Sequence, residues 1–306
     1  KTQNMSNNSA IAEEGGEIGR AQAEQARACG LRPSVDMNPV LLKPQSDRRS
    51  QVLLLGRPIA TVSARGYHRL KPRVVPPARA ALDRLRAGYE LVILEGAGSP
   101  AEINLRRFDI VNMTAAGWAQ APVLLVADID KGGVFASLVG TMELLNEEER
   151  NRVKGFVINK FRGDVSILKP GLRELERRTG VPVLGVIPHL GELKLASEDS
   201  ALLETARSVS GAAKVLVEVL RLPRISNHTD FEALSREPGV SLRYVNRPEA
   251  NRFPDLLIIP GTKSTMADLR ELRRRGLDRY VLRCAAAGAQ VAGICGGYQM
   301  LGRKLF

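Results

Sequence analysis

The stretch Ala292-Gly-Ile-Cys-Gly-Gly-Tyr-Gln-Met-Leu-Gly302 decides how this chain is read. Residues 291–294 form an apolar run; a cysteine, two glycines and a helix-forming tail follow. That order predicts a nucleophile elbow: a strand, a sharp turn carrying the reactive side chain, then a helix. A nucleophile at the tip of a strained turn needs small neighbours, so that the backbone can bend and a substrate can approach. Gly293, Gly296 and Gly297 supply them around Cys295. A helix starting beside the sulfur also favours the thiolate. The competing reading is a buried free cysteine, the usual fate of this residue. It leaves the three flanking glycines without a purpose.

Upstream of the elbow, residues 256–259 read as a neighbouring strand that ends in Pro260-Gly-Thr-Lys-Ser-Thr265. Its Gly261-Thr262 turn can offer backbone N–H groups to an oxyanion, and it can equally be the start of a helix; both can hold. Strands are expected at 215–220 and 240–245, and helices at 264–274 and 277–287. Asn227-His-Thr-Asp230 reads as a cap before a helix at 231–236. The arginine run 270–275 reads as a solvated helix face. A thiolate that forms an acyl-enzyme needs a base within reach. Of the three histidines, His68 and His189 read as structural, His228 lies in the capping segment, and none follows Cys295.

The first two thirds repeat the strand-helix rhythm. A helix is expected from Glu17, closed by Gly30, with short β-like runs at 40–42 and 52–55 and a helix at 76–87. Buried strands are expected at 89–94, 122–127, 153–158 and 183–187, with helices to about residue 145 and at 167–179. Continuous apolar strands alternating with helices predict a parallel sheet covered on both faces. Ligands bind such sheets at the carboxyl ends of the strands. There Glu95 is either a Mg2+ ligand beside a phosphate or a solvated turn residue. The loop Asp128-Ile-Asp-Lys-Gly-Gly133 is either a phosphate or metal loop or a capped helix start. Asn159 either reads an adenine edge with its amide or closes a turn. Gln3, Asn4, Asn7 and Asn8 make an amide-rich loop beside Lys1, or a frayed end. Asp109 faces substrate or solvent. The phosphate-binding run Gly-x-x-x-x-Gly-Lys-[Ser/Thr] is not found in these residues.

Composition bounds the alternatives. A chain of 306 residues with 44% hydrophobic and 25% charged residues suits two soluble globular domains. No apolar run approaches the ~18 residues of a membrane span. Three cysteines make no disulfide framework and fit a reducing cytoplasm. The net charge of +12 raises nucleic-acid binding, but 34 of the 45 basic residues are arginines spread through the helices. Aromatics are 4%, too few for base-stacking platforms. A polyanionic small substrate accounts for the charge as well, and no nucleic-acid or membrane partner is expected. Residues 197–213 are polar and small, as in a linker.

With these pieces assembled, the chain resembles the cobyric acid synthase family, glutamine-hydrolysing amidoligases of cobalamin biosynthesis. The resemblance rests on Lys1-Thr-Gln-Asn-Met, Gly15-Gly-Glu-Ile-Gly-Arg-Ala-Gln22, Asn38-Pro-Val-Leu-Leu-Lys-Pro44 and Glu95-Gly-Ala-Gly-Ser-Pro-Ala-Glu-Ile-Asn-Leu105. It continues through Ala127-Asp-Ile-Asp-Lys-Gly-Gly-Val-Phe135, Gly155-Phe-Val-Ile-Asn-Lys-Phe-Arg-Gly-Asp164 and Gly293-Ile-Cys-Gly-Gly-Tyr-Gln-Met-Leu-Gly302. It implies an α/β protein of two parts: a parallel-sheet P-loop NTPase domain similar to dethiobiotin synthetase at 1–205, a linker at 206–213, and a class I glutamine amidotransferase domain at 214–306. The first would use ATP and Mg2+ to turn substrate carboxylates into acyl phosphates. In the second, Cys295 would attack glutamine and release ammonia, with Gly261 and Gly296 as the oxyanion region. The family's corrinoid substrate is adenosylcobyrinic acid a,c-diamide, amidated at four peripheral carboxylates (b, d, e and g).

Carried onto this sequence, Glu95 and Glu17 become metal ligands. Lys1, Gln3 and Asn4 meet phosphate or substrate, Asn159 reads adenine, and Asp109 is a substrate-side carboxylate. The resemblance also places a P-loop before Lys1 and a His-x-Glu pair after Phe306. It therefore implies an internal fragment, expected to be inactive alone in both half-reactions. Three other readings compete. A cobyrinic acid a,c-diamide synthase would carry a Lys-Gly-Pro-Asp type run where this chain has Lys1-Thr-Gln-Asn-Met. A partitioning-type P-loop switch would lack the Cys295 domain. A non-catalytic remnant would have no need of an intact elbow.

Overall fold

The computed structural model describes residues 1–46, 48–190, 214–247 and 253–304. The chain divides into two compact units: Lys1–Gln3 with Lys71–Leu195, and Asn4–Leu70 with Ala196–Phe306. This cut differs from the expected division at 205. The stretch 4–70, read as part of the ATP-using domain, packs with the C-terminal half. Sequence rhythm cannot reveal this, because the partners lie some two hundred residues apart. The expected linker at 206–213 lies outside the described residues.

The N-terminal stretch carries β1 (Gln3–Met5), the antiparallel hairpin β2 (Ser9–Ile11) and β3 (Glu17–Gly19), and helix α1 (Arg20–Ala28). The helix expected from Glu17 therefore begins three residues later. Glu17 is in β3 because the hairpin pairs Ile11 with Glu17 and Ser9 with Gly19. Gly30 closes the helical region with φ +70°, as a C-terminal glycine should. Next come β4 (Val40–Ser46), β5 (Arg49–Leu54) and β6 (Arg57–Ser63), antiparallel neighbours in a sheet of order β1-β4-β5-β6. Val40, Leu41, Leu42 and Lys43 are all buried, so β4 is covered on both faces.

Helix α2 runs from Ala64 to Gly88, far longer than the expected 76–87, with Pro72, Pro76 and Pro77 inside it. Tyr67, Val74, Ala78 and Ala81 are buried at helical spacing, and this stripe carries the helix through its prolines. The boundary between units falls at Leu70–Lys71, just before Pro72. A proline there removes a helical N–H and disfavours helix in the residue before it.

The unit containing residues 71–190 holds α3 (Met113–Ala119), β7 (Val123–Asp128), α4 (Val134–Leu144), α5 (Glu147–Arg152), β8 (Val153–Phe161), α6 (Val165–Thr179) and β9 (Val183–Pro188). The strands form a parallel sheet in the order β7-β8-β9. Leu125, Phe156 and Ile158 pack with Val134, Leu138 and Met142 of α4 and with Leu175 of α6. The sheet is not covered on both faces: Leu124, Val126 and Leu184 are exposed. Residues 89–94, expected as a buried strand, are not a strand, and Leu91 and Ile93 are 77% and 82% exposed. A strand exists through its neighbours' backbone groups, and no described strand pairs with this segment.

In the other unit, β10 (Val215–Leu220), α7 (Glu232–Arg236), β11 (Val240–Val245), β12 (Leu256–Ile259), α8 (Thr265–Arg274), α9 (Leu277–Ala286), β13 (Gln290–Gly293) and α10 (Gly296–Met300) follow in order. Their sheet is wholly parallel, ordered β11-β10-β12-β13. The core is Val217, Val219, Leu257, Ile258 and Leu272, with Leu277 and Tyr280 of α9. Burying each such side chain contributes about 1.5–3 kcal/mol. Fully buried Glu218 in β10 is held by Arg243 and accepts a bond from Tyr280 Oη at 2.6 Å. This sheet places the carboxyl ends of β12 and β13 side by side.

Candidate functional site

Cys295 occupies the turn between β13 and α10, with φ +50° and ψ −111°. This region of backbone space is nearly reserved for glycine, and a side chain there costs about 1–3 kcal/mol. The surrounding glycines explain why the strain is tolerated. A Cβ on Gly297 would lie 1.9 Å from the Ile259 carbonyl oxygen, and one on Gly293 would lie 2.7 Å from the Tyr298 backbone. The strand and helix therefore pack backbone to backbone, and the turn between them leaves Cys295 exposed. The strand, turn and helix expected around Cys295 are present.

The loop after β12 lies against this turn. A Cβ on Gly261 would be 3.7 Å from Cys295 Cβ, and one on Gly296 would be 3.2 Å from Thr262 N. The two glycines expected around the oxyanion are thus brought together at Cys295. Thr262, whose backbone was expected to serve the oxyanion turn, gives its hydroxyl hydrogen to Asp268 Oδ2 at 2.5 Å. Asp268 is fully buried and also accepts from Arg224 N at 3.0 Å and Arg224 Nη1 at 2.9 Å. Thr265 Oγ1 donates to Gln299 Oε1 at 3.0 Å, tying the loop to α10.

Two lysines complete this part of the unit. Lys263 Nζ donates to Gln51 Oε1 on β5. Lys43 Nζ pairs with Glu17 Oε2 and lies 2.9 Å from Ser9 Oγ, which donates to the same carboxylate at 3.0 Å. Burial works to raise the Glu17 pKa, but the bond and charge of Lys43, helped by Ser9 and Lys263, hold it below the usual value. Glu17, expected as a metal ligand, is an ion-pair partner here. A lysine directly after the apolar run 40–42 was the available signal, since lysine is seldom buried unpaired. His228 is buried, with Nδ1 3.2 Å from Asn8 Nδ2. Asn227 does not cap with its side chain; its Oδ1 accepts from Ser9 N at 3.0 Å.

The other expected residues divide between the units. Asn4 is buried in the Cys295-bearing unit, where its Nδ2 donates to Gln22 Oε1 at 2.9 Å, so it is spent on packing. In the other unit, Lys1 Nζ lies 3.6 Å from Glu95 Oε2, and Lys71 Nζ donates to Gln3 Oε1 at 3.3 Å. Asp109 accepts from Val111 N and Asn112 N at 3.0 and 3.1 Å, which makes it a turn cap. Asn159 stands at the carboxyl end of β8 beside Lys160, whose φ is +61°. Lys160 donates to Asp128 Oδ2 at 2.7 Å, and Arg162 to Asp130 Oδ1 at 3.3 Å. The Lys160 bond holds the Asp128 carboxyl below its usual range. The carboxyl ends of β7 and β8 thus carry paired, exposed charges. Among the described residues no three His, Cys, Asp or Glu side chains cluster as a metal site, and no helix is long and apolar enough to cross a membrane.

Comparison with known proteins fits this division of chemistry. Residues 56–197 match an AAA domain, and residues 216–306 match the CobB/CobQ-like glutamine amidotransferase domain. The cobyric acid synthase of Dehalococcoides mccartyi strain 195 is 53% identical over 306 residues, covering 100% of this chain and 60% of that protein. That of Desulforudis audaxviator is 56% identical over 305 residues, 100% of this chain and 62% of the relative. That of Sorangium cellulosum is 55% identical over 304 residues, 99% and 58% respectively. No solved structure matches. The chain spans about three fifths of the length of these relatives, and along its whole length it is similar to these cobyric acid synthases.

Proposed function

We propose that this chain supplies the carboxylate-activating unit and the glutaminase nucleophile of a glutamine-dependent amidoligase acting on adenosylcobyrinic acid a,c-diamide. The observation that carries the reading is Cys295, an exposed thiol on a strained strand-to-helix turn. Such strain is stored where a reactive atom must project. The sister substrate, cobyrinic acid without the a,c-amides, would use the same chemistry; the 53% identity to a cobyric acid synthase along the whole of this chain favours the a,c-diamide.

At the elbow, Cys295 Sγ attacks the side-chain carbonyl carbon of glutamine. The tetrahedral oxygen faces the backbone around Gly261, Thr262 and Gly296. The carbon–nitrogen bond breaks and ammonia leaves; water then cleaves the thioester to glutamate and restores the thiol. In the other unit, a substrate carboxylate oxygen attacks the γ-phosphorus of ATP and ADP departs. Ammonia attacks the acyl carbon and phosphate leaves, a far better leaving group than hydroxide. Acyl phosphates hydrolyse if wet, so a covered site and direct ammonia delivery suit the chemistry. The b, d, e and g carboxylates are the expected acceptors.

The strand ends supply the remaining groups. Asn159 offers a donor and an acceptor for the adenine edge. Lys1 and Lys160 offer charge to phosphates, and Gln3 a polar contact. Mg2+, as a hard cation, keeps most of its waters and takes one or two carboxylates with phosphate oxygens. Half-exposed Glu95 fits that donor set as a single carboxylate, whereas Glu17 is engaged by Lys43 and Ser9. Bound there, the cation would neutralise charge on the transferred phosphoryl group.

The test is made in the whole enzyme. With Cys295→Ala, glutamine should no longer support amidation, while ammonium salts should support it at nearly the original rate. Retained glutamine-dependent turnover would overturn the reading, as would loss of both activities in a folded variant.

A further inference from the structure

The loop beside the elbow is held by residues 224–227, which the chemistry described so far does not use. Ser226 N donates to Gly261 O at 2.9 Å, and Lys263 N donates to Arg224 O at 3.0 Å. Between these two bonds Ile225 and Thr262 face each other as an antiparallel bridge. Such a flanked pair exchanges no hydrogen bond of its own, so the Thr262 N–H is directed away from Ile225. The N–H of a peptide is also trans to its carbonyl, so the Ser226 bond to Gly261 O sets where the Thr262 N–H points. Gly296 stands by that peptide, where a Cβ would lie 3.2 Å from Thr262 N, and a Cβ on Gly261 would lie 3.7 Å from Cys295 Cβ.

Asn227 ends this strap. Its backbone is left-handed, with φ +51° and ψ 41°, a conformation that asparagine tolerates better than most side chains. Its Oδ1 accepts from Ser9 N at 3.0 Å. Ser9 is itself fixed: its hydroxyl donates to Glu17 and accepts from Lys43 Nζ at 2.9 Å, and in β2 it pairs with Gly19. Arg20 Nη2 adds a bond to Asp230 Oδ1 at 2.7 Å on the same seam. From the β2–β3 hairpin to the Gly261 turn, each step is a hydrogen bond or a peptide bond.

We propose that Asn227 is a positioning residue of the glutaminase site: anchored to Ser9, it holds Ser226 on Gly261 and so aims the Thr262 N–H at the oxyanion. The segment 4–70 thus sets the geometry of the oxyanion turn from within its own unit. The proposal rests on Cys295 being the nucleophile and on this turn receiving the oxyanion. Releasing the anchor frees the strap to shift, and a displacement of about 1 Å can cost about a hundredfold in rate.

The experiment is the glutaminase reaction of the whole enzyme, with kcat and KM for glutamine measured separately, together with the urea midpoint and hydrogen exchange at the Ser226 amide. Asn227→Gly is the informative variant. Glycine adopts the left-handed backbone without strain, so the turn keeps its shape while the bond to Ser9 is lost. Asn227→Asp keeps an acceptor oxygen in place. Asn227→Ala also lacks the acceptor and serves if Asn227→Gly does not fold.

Asn227→Gly should lower kcat about tenfold or more, leave KM for glutamine nearly unchanged, as for an interaction made only in the transition state, and quicken exchange at Ser226 without lowering the urea midpoint. Asn227→Asp should restore kcat and slow exchange. A purely conformational role for Asn227 predicts instead that Asn227→Gly keeps its full kcat, and that result overturns the proposal alone. So does a loss of kcat that Asn227→Asp fails to restore, or a raised KM with kcat intact. Glutamine-dependent turnover that survives Cys295→Ala overturns the proposal and the nucleophile reading together.

Discussion

Cys295 and Lys71 show how differently single residues can be marked. The close packing of a tight turn shapes the immediate neighbours of Cys295, so this part of the candidate site is written locally. Lys71 carries no such mark. Burial lowers its pKa to about 8, and Asp109 offsets the effect only in part. The unfolded chain, with an ordinary lysine, therefore binds more protons between pH 8 and 10.5. Stability contributed by this site rises with pH across that window. Lys71→Met should raise urea stability at pH 7, and the gain should shrink as pH passes from 8 to 10.5. A gain that is flat across that range would contradict the assignment. Asn4, Glu17 and Asp109 were candidate ligands, and in the structure they bond Gln22, Lys43 and the 111–112 backbone. Two of these three partners lie 18 and 26 residues away, and no spacing rule reaches them.

At the scale of elements, the loop 260–265 matters most. It is held by Asp268, which is fully buried and receives three hydrogen bonds. Asp268→Ala would leave the Thr262 hydroxyl and the Arg224 groups without their acceptor. We expect a loss of about 2–3 kcal/mol in urea unfolding, together with slower alkylation of Cys295 as the loop loosens. Unchanged alkylation in a destabilised variant would separate the loop from the nucleophile. Strands β7 to β13 were legible because each is a short apolar run bounded by turn residues. Residues 89–94 have the same composition yet no paired neighbour, since composition reports burial potential and pairing decides strand. Helix α2 failed in the opposite sense: its prolines read as a start, while its buried stripe extends on both sides of them.

Over the whole molecule, the grouping of residues 4–70 with the C-terminal half was not legible in the motif order. Motif order suggested a cut at 205; the units place 4–70 with the C-terminal half. Bonds such as Ser9 to Asn227 and Lys263 to Gln51 make that grouping and span 218 and 212 residues. Native-state hydrogen exchange should reflect it. Amides of β4 and β5 should open with those of β10 and β12, at a free energy distinct from β7 and β8. Opening of β4 and β5 together with β7 and β8 would contradict this division. The net charge of +12 suits the polyanionic ligands of the proposed function, whose association should slow as salt is added.

In the proposed function Cys295 forms a covalent bond with the glutamine side chain. Peptide mass analysis of the whole enzyme, acid-quenched during turnover with glutamine, detects that bond. A glutamyl adduct is expected on the peptide carrying Cys295, absent when glutamine is withheld. An adduct on Cys29 or Cys284, or turnover with no adduct at Cys295, would contradict it.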